Sequence, residues 1–173
     1  MLEPIHFVNE RATPYLTAAD FFGIFNEEMH SLYLLAFLLT ADHDKAEECL
    51  VSAMGECGEG VGVFTDWARS WTRGAVLKRA IQMIMPAPEH ADSVSLISLK
   101  RLETPADNNP FSAILLLDAF ERFVFVMSIL EGQSDEECAV LLRCSRRDVT
   151  IARVLALKRQ SSTDVLAEEF LQS

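Results

Sequence analysis

The side chains best suited to chemistry are five cations near the end of the chain, Arg146, Arg147, Arg153, Lys158 and Arg159, set against a single acid, Asp148. The chain as a whole carries a formal charge of −11, so this patch is a local reversal of sign. Guanidinium groups at helical spacing suit recognition rather than bond-making. Each can hold a phosphate or grip the edge of a guanine through two parallel hydrogen bonds. Contact with nucleic acid must then be local, oriented and salt-sensitive, because the acidic remainder of the surface repels a duplex.

Two short helices are expected to present the patch. Ser134 followed by Glu137, and Ser145 followed by Asp148, are capping boxes, in which hydroxyl and carboxylate each satisfy an orphaned backbone N–H. Arg143, Cys144 and Ser145 leave a turn of about three residues between the helices, the length a helix-turn-helix needs. A left-handed backbone at Arg143, where glycine is the comfortable residue, would be strained. On the second helix Arg146, Thr150 and Arg153 form one stripe with Arg147 beside it. Val149, Ala152 and Ala156 form the opposite stripe and are expected to pack on the preceding helix. Ile151, Val154 and Leu155 make this helix apolar on more sides than DNA binding requires, which predicts packing against another domain, a second copy or a regulator.

Catalytic constellations are not found. There is no phosphate-cradling glycine loop, no HExxH pair and no Ser/His/Asp arrangement in the sequence. Gly55–Gly62 is glycine-rich but carries Glu56, Cys57 and Glu59 and no lysine, so it repels phosphate. The histidines (His6, His30, His43, His90) are scattered, and a zinc site pairing them with Cys49 or Cys57 is a minor alternative. No enzyme, metal or cofactor is expected. Cys49, Cys57, Cys138 and Cys144 form no CxxC pair and read as reduced thiols of a cytosolic protein.

The elements behind the patch are helical throughout. At 173 residues, half of them hydrophobic, the chain is expected to form an all-α protein of two small helical domains joined by a linker. The first spans 18–85, the linker 86–110 and the second, with the helix-turn-helix, 111–165. Phe21, Phe22, Phe25, Met29, Leu32, Tyr33, Ala36 and Phe37 recur at the period of a helix burying one face. Asp42 or Asp44 is expected to cap a second helix through Ala46, Cys49, Leu50, Ala53 and Met54, ending at Gly55–Gly62. A third helix runs from about Thr65 to Met83. Four prolines and Asn108-Asn109 mark the linker, with a short ordered piece at Val94–Leu99. One apolar helix then carries Ile114, Leu115, Leu117, Phe120, Val124, Met127 and Leu130. No targeting segment is read at the N-terminus, and neither Leu32–Leu39 nor Ala113–Leu130 reads as a bilayer span.

These pieces, taken in order, resemble a known family. Ala19 to Leu50 contains Leu32-Tyr33-x-Leu35-Ala36-Phe37, the turn Leu39-Thr40-x-Asp42 and the acidic Ala46-Glu47-Glu48. It resembles conserved region 2 of sigma-70 family transcription factors of the small extracytoplasmic-function type. Val63–Gln82, starting Phe64-x-x-Trp67, resembles the promoter-melting segment. Phe120–Arg159 resembles region 4, with Arg122-x-Val124-Phe125, Leu130-Glu131-Gly132-x-Ser134 and Val149-x-x-x-Arg153. The resemblance covers about four fifths of the chain.

The resemblance implies a cytoplasmic bacterial protein that docks on core RNA polymerase and directs it to promoters, with an anti-sigma factor as a further partner. Glu47 and Glu48 would meet the polymerase, whose basic surface exposed carboxylates suit. Val51 stands where the family often has Gln. Trp71, Arg73, Lys78 and Arg79 would face the −10 element, where bases are unstacked. Trp67 is expected in the core, and Trp71 either there or under a base. Arg73-Gly74 departs from the family's Arg-Asn pair, and a mid-helix glycine costs about 1 kcal/mol against alanine. Arg146, Arg147, Thr150 and Arg153 would read the −35 element in the major groove. An alternative is a sigma-like regulator or interaction module without promoter opening. Self-association through the apolar recognition-helix face is a further expected contact. No membrane partner is expected.

Overall fold

Thr17 and Asp20 open the first helix by a reciprocal cap. The Thr17 amide donates to Asp20 Oδ2 at 2.8 Å, and the Asp20 amide returns to Thr17 Oγ1 at 3.4 Å. The Thr17 hydroxyl, which donates to the same Oδ2 at 2.7 Å, and the Thr17 amide hold the Asp20 carboxyl below its usual range. The computed structural model describes residues 17–59, 67–88 and 111–171. Every described element is helical: α1 Ala18–Thr40, α2 His43–Glu59, α3 Ala68–Ile84, α4 Ser112–Leu115, α5 Ala119–Phe125, a π turn Val126–Leu130, α6 Asp135–Leu142 and α7 Arg146–Leu171. The all-α class expected from the sequence is thus the observed one.

Helix α1 is the spine of the first block. Phe21, Phe25, Leu32, Leu35, Ala36 and Leu39 are buried on its inner face. Full burial of a phenylalanine or leucine stabilises by about 1.5–3 kcal/mol. Phe22 and Met29, expected on that face, are instead exposed, because successive residues turn by about 100° and these two fall outside the strip that α2 and α3 cover. Asp42 caps α2, accepting the Lys45 amide at 3.0 Å. Helix α2 buries a row of small residues, Ala46, Cys49, Ala53 and Cys57, which lets α1 and α3 approach closely. It runs through Gly55 and ends at Glu59, inside the glycine-rich segment expected to stop it. The anchoring of Ala53 and Cys57 in the core outweighs a cost of about 1 kcal/mol for a helical glycine. Residues 89–110, including the short piece expected at Val94–Leu99, lie outside the described residues, as does Thr65.

The apolar helix expected from 111 onwards is broken. Asp118 is extended (φ −59°, ψ 153°) between α4 and α5. Leu117 enters the core on one side of the break and Phe120 on the other. After Phe125 the ladder widens, the Glu131 amide donating to Val126 O at 3.0 Å. Leu130, the last residue of the expected apolar helix, is exposed. Phe123, Val124, Val126 and Met127 are fully enclosed. Helix α7 runs past 165, the expected end, to Leu171.

The two blocks touch, and their buried apolar residues form one cluster. A buried cation lies at the contact: Arg122 of α5 donates from Nε to Leu39 O at 3.2 Å and from Nη1 to Leu117 O at 3.0 Å. Leu39 O belongs to the last turn of α1, where carbonyls lack helical partners and a cation is favoured.

Candidate nucleic-acid interface

Both capping boxes form as expected. The Ser134 amide donates to Glu137 Oε2 at 2.8 Å, and the Glu137 amide to Ser134 Oγ at 3.2 Å. At α7 the Ser145 amide donates to Asp148 Oδ2 at 3.0 Å, and the Asp148 amide to Ser145 Oγ at 3.1 Å. The bonds from Ser134 hold the Glu137 carboxyl below its ordinary range. Between the helices Arg143 adopts the left-handed conformation (φ 53°, ψ 44°), and the Cys144 amide closes the helix end on Ala139 O at 3.0 Å. The strain expected of a non-glycine residue is therefore present, costing roughly 1–2 kcal/mol.

Helix α7 divides its faces as its sequence dictates. Val149, Ala152 and Ala156 are buried, while Arg146, Arg147 and Thr150 are exposed. Arg153 does not point free into solvent. It forms a two-pronged pair with Asp135 of α6, at 2.6 and 3.1 Å, and Thr150 Oγ1 donates to the same carboxylate at 3.0 Å. Arg159 is turned towards α5, pairing with Glu121 at 2.7 Å and Asp118 at 3.1 Å. Arg146 and Arg147 form no ion pair among the described residues. Ile151, Val154, Leu155 and Leu157 are all between 42 and 47% exposed, so the outer face of α7 is apolar between Arg147 and Lys158.

Helix α3 corrects one expectation. Trp67 is not in the core but 68% exposed, and Trp71 is 51% exposed. The inner face of α3 is built from Ala68, Thr72, Ala75, Val76 and Ala80, and helices in contact through such small residues leave no volume for an indole. Trp67, Trp71, Gly74 and Lys78 recur at helical spacing along one exposed stripe. An accessible ring there can stack on a base for about 1–3 kcal/mol.

The remaining cations of α3 leave that stripe. Arg79 pairs with Glu56 at 3.4 Å and bonds Gln82 at 2.8 Å, and Lys78 reaches the same Glu56 at 3.3 Å. Arg73 turns into a cleft of about 1030 Å³ between α1, α3 and the loop before α6. There Nε donates to Glu131 Oε2 at 2.7 Å, Nη2 to Glu131 Oε1, and Nη1 to Ser31 Oγ at 2.9 Å. The Glu131 carboxylate raises the Arg73 guanidinium above its ordinary range, against the opposing effect of partial burial. Of the four residues expected at a −10 element, Trp71 and Lys78 share a stripe, whereas Arg73 and Arg79 are turned away. Glu131 and Asp135, which occupy the arginines, were not singled out from the sequence. Both partners lie far from their arginines along the chain, and no local pattern signals the pairing.

On α2, Glu47 and Glu48 are exposed beside Asp44 and Val51, and neither glutamate forms an ion pair among the described residues. Burial pushes the thiols of Cys49, Cys57 and Cys138 up to about 11 and raises that of Cys144, so they stay protonated and weakly nucleophilic near neutrality. Among the described residues no cluster of three or more His, Cys, Asp or Glu could hold a metal, and no helix is long and apolar enough to cross a membrane. No protein-family model matches the chain, and no curated protein sequence matches it.

Proposed function

We propose that this chain is a sigma-like transcription factor that docks on core RNA polymerase through the acidic face of α2 and meets promoter DNA through the first turns of α7. The observation that carries the reading is the start of α7. Arg146 and Arg147 stand exposed and unpaired among the described residues, directly after a capped three-residue turn. A helix N-terminus attracts phosphate by its own exposed amides, and two guanidinium groups beside it add charge and geometry. Glu47, Glu48 and Asp44 supply a carboxylate face for a basic partner surface. Trp71 and Lys78 on the α3 stripe supply a ring and a cation for an unstacked base. The reading implies a cytoplasmic protein, with an anti-sigma factor as a further partner.

A second reading is a polymerase-bound regulator that does not open promoters. It is favoured by the engagement of Arg73 with Glu131 and of Arg153 with Asp135, which takes two expected DNA contacts out of use. Mixing the purified full chain with bacterial core polymerase, and then probing strand opening on a promoter library, separates the readings. The first requires a stable complex, weakened by Glu47→Lys with Glu48→Lys, and specific opening. A complex that opens no promoter supports the second. Absence of any complex rules out both.

A further inference from the structure

The cations of α3 are ringed by acids. Glu27 and Glu28 of α1 hold Arg69, Glu56 of α2 holds Lys78 and Arg79, and Glu131 holds Arg73. The first three acids belong to the same block as α3. Glu131 reaches across from the second block, and the backbone delivers it there. The π turn ends with the Glu131 amide on Val126 O, Gly132 bends the chain at φ 69°, and the Gln133 amide closes on Met127 O at 2.9 Å. Side-chain exposure is only 10% for Glu131 and 30% for Arg73. With Ser31 on the remaining nitrogen, each nitrogen of the guanidinium is engaged.

A carboxylate gripped in this two-pronged manner presents oxygens much as a phosphate does. The Nε–Nη2 edge of Arg73 cannot hold both at once. We infer that Glu131 is an autoinhibitory latch: it occupies Arg73 as a stand-in for nucleic-acid phosphate and holds the second block closed on α3 until the contact is exchanged. The inference rests on the nucleic-acid reading proposed above and adds the regulation of that site. The opposite side of the contact is also tied, by buried Arg122, which donates to the carbonyls of Leu39 and Leu117. The latch is exchangeable, because Arg73 is partly exposed and its partner is a charge that another anion can replace.

The test uses the full chain as wild type, Glu131→Gln and Glu136→Gln. The first variant keeps the shape of the latch and removes its charge. The second is a charge-matched change at an exposed residue of α6. Hydrogen exchange across residues 126–134 and α3, and affinity for a fluorescent single-stranded oligonucleotide of mixed sequence, are measured for each. Glu131→Gln is expected to raise exchange in both segments and to tighten oligonucleotide binding about tenfold, within the usual range of coupling between two sites. Adding Arg73→Gln to Glu131→Gln should abolish the gain. Exchange no faster in Glu131→Gln than in Glu136→Gln overturns the latch. Faster exchange without a gain in affinity leaves a structural tie and overturns autoinhibition. Neither the exchange nor the oligonucleotide readout needs polymerase, so together they decide the latch even if the polymerase test fails. A wild-type chain that opens promoters as fast as Glu131→Gln overturns the latch and leaves the sigma-like reading intact.

Discussion

Arg73 on α3 commits its guanidinium to Glu131 and Ser31, whereas Arg146 and Arg147 at the start of α7 meet solvent with no ion pair among the described residues. All three are arginines on helices of an acidic chain. Their surroundings separate them. Helix α3 lies between α1, α2 and the loop before α6, each of which offers a carboxylate. Helix α7 begins beyond a turn, and its own acid, Asp148, is engaged in capping the helix. A cation count therefore identifies two candidate faces, and the neighbours decide which is available. A phosphate can compete for Arg146 at once, but for Arg73 it must first displace a partly buried carboxylate.

The largest expected effect bears on what holds the two regions together. Arg122→Ala removes a buried guanidinium and strands Leu39 O and Leu117 O, so it should destabilise the chain by about 3 kcal/mol. Denaturant unfolding checks this, and an unchanged midpoint would mean that the blocks do not depend on one another through Arg122. Charge reversal comes next. Arg146→Glu with Arg147→Glu should weaken duplex binding about 100-fold, since each lost contact is worth about 1–3 kcal/mol. Arg73→Glu with Arg79→Glu should change duplex binding far less, and equal losses would erase the distinction drawn between the two helices.

A smaller effect sharpens the contrast within α7 itself. Asp135→Asn releases Arg153 and Thr150 to join Arg146 and Arg147, and duplex affinity should rise about tenfold at low salt. The slope of log affinity against log salt should steepen by about 0.9, the value for one added phosphate contact. A slope that stays flat would leave Arg153 as a structural cation only. Smallest are two changes to the backbone. Gly74→Ala meets no atom within 4 Å and should stabilise α3 by about 1 kcal/mol. Arg143→Gly relieves the left-handed turn before α7 and should add about 1 kcal/mol. Thermal unfolding of the two variants tells whether α3 or the turn holds more strain.

Much of the fold was legible, and for local reasons. Capping boxes at Ser134 and Ser145 act over three residues, so the starts of α6 and α7 follow from the sequence without reference to the rest of the molecule. The buried stripe Val149, Ala152 and Ala156 follows from helical period in the same way. Trp67 was misjudged because period shows that it shares a face with Trp71 but not whether that face turns inward. Small residues elsewhere on α3 settled the matter. The break at Asp118 and the π turn at Val126–Leu130 were also missed, since an apolar run reads alike whether its helix is straight, interrupted or widened.

The candidate site was legible only in part. Residue types and spacing suffice to nominate Arg73, Arg146 and Arg153, because a guanidinium has the same hydrogen-bonding geometry wherever it stands. They do not tell which of these is free. Arg73 and Glu131 are 58 positions apart and Arg153 and Asp135 are 18 apart, and a side-chain pairing at such separations exists only after helices have packed. The sequence by itself determined the helices, their caps and the chemical character of their faces, all set by interactions within a few residues. Tertiary structure alone decided which cations are masked and which are exposed, because an ion pair depends on where two backbones have been brought, and that position is a property of the whole fold.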